Sequence, residues 1–88
     1  MFKNKNADGA LNICGQQLKI LRKNKDLSQR ALADALQLMG LDLGKNAIQQ
    51  IESGERFVTD IELRFFAAYF AVSADDLMRL EQIENSAS

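Results

Sequence analysis

The chain has 88 residues, of which 47% are hydrophobic and 26% charged, with a formal net charge of −1. That length makes one domain with a modest core, since so short a chain buries only ~60–65% of its unfolded surface. There is no His and no Pro, and no apolar run approaches the ~18–20 residues of a membrane span, so imidazole catalysis is excluded and a spanning helix is not expected.

Val58 and Val72 are the only valines and Thr59 the only threonine, whereas Ala, Leu, Gln, Lys and Glu dominate. That balance favours helix over strand, and the expected fold is all-α with five helices. Residues 1–11 read as a flexible, mildly basic tail without the apolar centre of a signal peptide. Asn12 is a candidate N-cap for helix 1, which runs to Asn24 with Ile13, Leu18 and Leu21 on one face. The single cysteine, Cys14, has no internal partner and reads as a small core residue in a reducing cytoplasm.

Ser28 caps helix 2, whose apolar face is Leu32, Ala35, Leu36 and Met39, and Gly40 is its stop. After a turn at 41–44, helix 3 covers residues 45–53 with Ala47, Ile48 and Ile51 as its buried stripe. Thr59 and Glu62 form a capping box at the start of helix 4, residues 60–71. Ile61, Leu63, Phe65, Phe66, Tyr69 and Phe70 make that helix apolar around most of its girth, which predicts a central position. Ser73 and Asp76 repeat the capping pattern and open helix 5, which extends to about Glu84 with Leu77 and Met78 inward. Leu80 and Ile83 carry the stripe beyond what a five-helix core needs and are assigned to a homodimer contact. The domain is expected at 12–84, with 85–88 frayed.

Charge is divided unevenly. Residues 1–56 hold nine Lys/Arg against six Asp/Glu, a net of +3, and residues 57–88 hold two against six, a net of −4. The positive half contains Gln49 and Gln50 on helix 3, amide side chains of the kind that pair with base edges. Taken alone, such a face can equally be a solvated surface. Phe57, Phe65, Phe66, Tyr69 and Phe70, at helical spacing and with no basic groove interleaved, read as core rather than as a stacking platform.

Several short patterns occur in order: Leu18-Lys19-Ile20-Leu21-Arg22, Leu27-Ser28-Gln29 with Leu32-Ala33, and Ile48 with Ile51-Glu52-Ser53-Gly54. Ala71-Val72-Ser73 followed by Asp76-Leu77 completes the set. Together they resemble the Cro/repressor-type, or xenobiotic-response-element-like, helix-turn-helix family over about residues 13–80. From Ala33 to Ile48 the chain is about five residues longer than the compact family pattern, which resembles the long-turn variant.

The resemblance implies double-stranded DNA as partner and helix 3 as the recognition helix. Lys45, Asn46, Gln49 and Gln50 then stand where base edges are read. It implies phosphate contacts for Gln29 at the start of helix 2, with Arg22, Lys23, Lys45, Ser53 and Arg56 as further candidates. It also implies that Arg22 and Glu52 face each other as a clamp between helices 1 and 3. The function so expected is a dimeric, sequence-specific transcriptional regulator acting as a repressor. The alternative is a protein-interaction module, such as an antitoxin-like partner protein, using the same fold; the acidic C-terminal half favours it. An enzyme is not expected: there is no His, no Gly-rich phosphate loop and no metal-ligand cluster, and no cofactor is implied.

Overall fold

The computed structural model describes residues 9–79. Among them are five helices and no strand: α1 (Gly15–Asn24), α2 (Gln29–Met39), α3 (Lys45–Glu52), α4 (Asp60–Phe70) and α5 (Ala74–Leu77). Most of the expected tail, the proposed dimer residues Leu80 and Ile83, and the C-terminal end lie outside the described residues; α5 ends at Leu77 with Met78 as its C-cap, short of the expected extent to about Glu84.

Local signals set the ends. The Ser28 hydroxyl accepts the Ala31 N–H at 3.0 Å and starts α2. Gly40, at φ 107°, ends it: only a left-handed residue lets Leu41 N–H return to the Leu36 carbonyl at 3.0 Å. At α4 the Thr59 hydroxyl accepts from Glu62 N–H, and the Glu62 carboxylate accepts from Thr59 N–H at 3.0 Å. Ser73 and Asp76 build the same box at α5. Both boxes were predicted from the sequence.

Helices α2 and α3 pack against each other as the helix-turn-helix pair, joined by residues 40–44. α1 lies against α3, α4 against α2, and α5 touches both α1 and α4. Leu18, Leu32, Leu36, Ile48, Ile51, Phe66, Phe70 and Leu77 fill the space between them. Complete burial of a side chain such as Leu32 or Leu36 contributes about 1.5–3 kcal/mol.

Several expectations are corrected. α4 is not central. It buries one stripe, Glu62, Phe66 and Phe70, while Ile61 is 64% exposed. Its other apolar residues lie on the flanks, and the centre falls on α2 and α3. Ile13 precedes α1 and faces outward, and the buried side of α1 is Gly15, Gln17, Leu18 and Arg22. Met39 and Met78, expected inside, are exposed at helix ends. α3 ends one residue earlier than expected, at Glu52, and α4 at Phe70.

Gly15 explains how closely α1 approaches α3. A Cβ at this position would run into the Ile51 carbonyl oxygen, which belongs to the backbone of α3 and has no rotamer to yield. Ala normally stabilises a helix over Gly by about 1 kcal/mol. Here the sign should reverse. Gly15→Ala is expected to destabilise by ~1–3 kcal/mol in urea unfolding, because the helices must separate. A raised midpoint would contradict the close approach.

Candidate nucleic-acid interface

α3 has two sides. Ile48 and Ile51 are buried and Ala47 is half-buried, which fixes the helix on the core. Lys45, Asn46, Gln49 and Gln50 recur at helical spacing on the other side, and all four are exposed. Their side chains are not committed to hydrogen bonds or ion pairs among the described residues. Gly44 opens the helix without a side-chain cap, leaving its first N–H groups toward solvent. The face therefore carries three amides and one ammonium, groups that donate and accept in the patterns displayed by the major groove.

The last residue of α3 behaves in the opposite way. Glu52 is buried, and its Oε2 accepts from Arg22 Nε at 2.7 Å while Oε1 accepts from Arg22 Nη2 at 3.0 Å. Gln29 Nε2 donates to the same Oε1 at 3.1 Å. Arg22 spends its remaining nitrogen, Nη1, on the Leu27 carbonyl at 2.6 Å. One carboxylate thus joins α1, α2 and α3. The Arg22–Glu52 pair implied by the family resemblance is present. The buried guanidinium, with every nitrogen engaged, is not placed to reach a phosphate as the sequence reading had it.

The other phosphate candidates divide similarly. Lys23 is exposed in the last turn of α1. Ser53 is exposed just past α3, its hydroxyl donating to the Gln50 carbonyl at 3.1 Å. Gln29 is half-buried at the start of α2, where the first N–H groups have no intrahelical partner. Arg56, half-buried, is committed to the protein's own groups. It grips Glu62 through both Nη atoms, at 3.0 and 3.1 Å, and donates to the Phe57 carbonyl at 3.1 Å. Burial disfavours the Glu62 carboxylate, but the bonds from Arg56 and the Thr59 N–H outweigh that and hold its carboxyl below the ordinary value. The bond to Glu62 raises Arg56 in turn.

Sequence reasoning assigned Asn12 only a capping role. The N-cap position of α1 is Cys14, not Asn12 as expected, although the Asn12 Oδ1 does accept the Gly15 N–H at 2.8 Å. Its Nδ2 also donates to the Ile51 carbonyl at 3.0 Å and the Arg56 carbonyl at 2.8 Å, pinning the entry of α1 to the exit of α3. Leu11 N–H adds a bond to the Gly54 carbonyl at 2.8 Å. Gln17, buried in α1, donates to the Arg79 carbonyl at 3.0 Å and ties in the chain after α5. No local pattern announces such partners, which lie 39 to 62 residues away. Burial pushes the Cys14 thiol up to about 11, so at neutral pH it stays protonated, in keeping with a core residue.

Two stability predictions follow from these ion pairs. Glu52→Ala leaves the Arg22 guanidinium buried without a counter-charge, and the expected loss is ~3–5 kcal/mol in thermal or urea unfolding. An unchanged melting temperature would remove the clamp from the stability of the fold. The folded pKa of Glu62 lies below its unfolded value of about 4.3, so the ionised carboxylate contributes stability above that pH. The contribution is lost as pH falls through the folded value. Glu62→Gln should therefore lose less melting temperature than the parent between about pH 7 and about pH 3.

A comparison with protein families matches a model described as a helix-turn-helix domain over residues 14–80. No curated protein and no solved structure matches the chain. The matched span includes all five helices, and with them the α2–α3 pair and the uncommitted face of α3. By fold, by this arrangement and by the family match, the chain belongs to the helix-turn-helix domain family.

Proposed function

We propose that this protein is a sequence-specific DNA-binding transcriptional regulator of the Cro/repressor type, in its long-turn variant. α3 enters the major groove of double-stranded DNA, and Lys45, Asn46, Gln49 and Gln50 address base edges. Asn46, Gln49 and Gln50 suit adenine, donating and accepting at once, and Lys45 suits guanine. Lys23, Ser53 and the backbone N–H groups that open α2 around Gln29, rather than the Gln29 side chain, hold phosphates on either side. Arg22 and Arg56 act inside the protein instead, as partners of Glu52 and Glu62. The observation that carries the reading is the pairing of an exposed, uncommitted polar face on α3 with a buried anchor at the end of the same helix.

Two copies would place two recognition helices on half-sites about 34 Å apart, one helical turn. Occupancy of such an operator by a cytoplasmic dimer gives repression. A second reading rests on charge: residues 57–88 carry a net of −4, which suits a basic protein partner in the manner of an antitoxin. Both functions can coexist in one chain.

Mobility-shift titration against upstream duplexes at two salt concentrations separates the readings. A regulator should prefer one sequence and lose affinity steeply with salt. Asn46→Ala and Gln50→Ala should each relax discrimination at one base position by ~1–3 kcal/mol. Lys23→Ala should weaken all sequences alike and shallow the salt slope. Absence of DNA affinity, with a neighbour-encoded protein co-purifying, would establish the second reading instead.

A further inference from the structure

α2 and α3 are two packed arms whose joint, or vertex, is the connection at residues 40–44. A compact turn would by itself restrict the angle between the arms. This connection has five residues, of which Gly40 and Gly44 bring no side chain to hold it and Leu43 is buried in the core. The arms also meet at their far ends. Gln29 is the first residue of α2 and Glu52 the last of α3, and Gln29 Nε2 donates to Glu52 Oε1 at 3.1 Å. Each partner sits at the end of its helix farthest from the vertex, so this bond has the longest lever on the angle. Glu52 is itself immobile, because Arg22 holds both of its oxygens.

We infer that Gln29 is a positioning residue that sets the tilt of α3 by tying the far end of α2 to Glu52. The inference rests on the DNA-binding reading for its consequence, which is specificity. A helix held at the wrong tilt still meets phosphates but misaligns Asn46 and Gln50 with base edges. Gln29 therefore governs discrimination between sequences more than affinity for DNA as such. A purely phosphate-binding Gln29 would do the reverse, contributing equally on every sequence.

The test compares the parent with Gln29→Met, which keeps length and bulk without a donor. Gln29→Asn keeps the amide on a stem one methylene too short to reach Glu52. Affinities are measured for a selected duplex and a scrambled one, and backbone amide shifts of Lys45–Gln50 are recorded on the free protein. Both variants should lower the ratio of selected to scrambled affinity about three- to tenfold, the scale of one ordinary hydrogen bond. Scrambled binding should stay within about twofold of the parent, since no phosphate contact is lost. The α3 amide shifts should move in both variants. An equal fall on both duplexes would make Gln29 a phosphate contact and overturn the inference, as would parent-like discrimination in Gln29→Met. Should the parent prefer no duplex, the DNA-binding reading fails by itself. The free-protein shifts then decide positioning: displacement along α3 supports it, and unmoved Lys45–Gln50 amides overturn it.

Discussion

A carboxylate removed from water between three helices organises this molecule. Glu52 would carry a large desolvation cost if it were alone. Two nitrogens of Arg22 and one of Gln29 offset that cost, and they come from α1 and α2. Such a pair adds little net stability over an apolar equivalent. Its contribution is register: only one mutual placement of the three helices satisfies all of the bonds. Arg22 extends the constraint to the α1–α2 link through the Leu27 carbonyl.

This constraint matters because α3 is short. Eight residues do not hold a helix in water on propensity alone. α3 exists because Ile48 and Ile51 pack on α1 and α2, because Glu52 is anchored, and because Asn12 binds the Ile51 carbonyl near its C-terminal end. The exposed face is thus rigid without using its own side chains for support. That division leaves Lys45, Asn46, Gln49 and Gln50 uncommitted, and a partner would not have to compete with internal bonds for them. Arg22 and Arg56 show the opposite arrangement: cations that in sequence look like surface charge are spent on Glu52 and Glu62. The positive potential available to a polyanion therefore comes from fewer side chains than the residue count indicates.

The close seam between α1 and α3 gives the same region a second support. Gly15 lets the backbones approach, and the Asn12 amide exploits that approach at both ends of the α3 exit. The loop that follows is held by the bidentate Arg56–Glu62 pair, with Glu62 also serving the Thr59 capping box. The chain leaving α3 is therefore fixed by polar contacts on its C-terminal side.

Much of this architecture is legible in the residues alone. Ser28, Thr59 with Glu62, and Ser73 with Asp76 mark helix starts because capping is a contact within four residues, and Gly40 marks a stop because its φ is a local requirement. The 3.6-residue spacing around Ile48 and Ile51 determined which side of α3 would face outward. The Arg22–Glu52 pair came from resemblance to a family rather than from spacing. Only the tertiary structure decided that α4 is peripheral, since apolar content does not say which neighbour covers it. Likewise, only the packed structure showed that Arg56 is paired with Glu62, that Asn12 and Gln17 bridge distant segments, and that Gln29 meets Glu52. Those facts depend on side chains brought together across 6 to 62 residues, and a chain carries no local record of a contact made by packing.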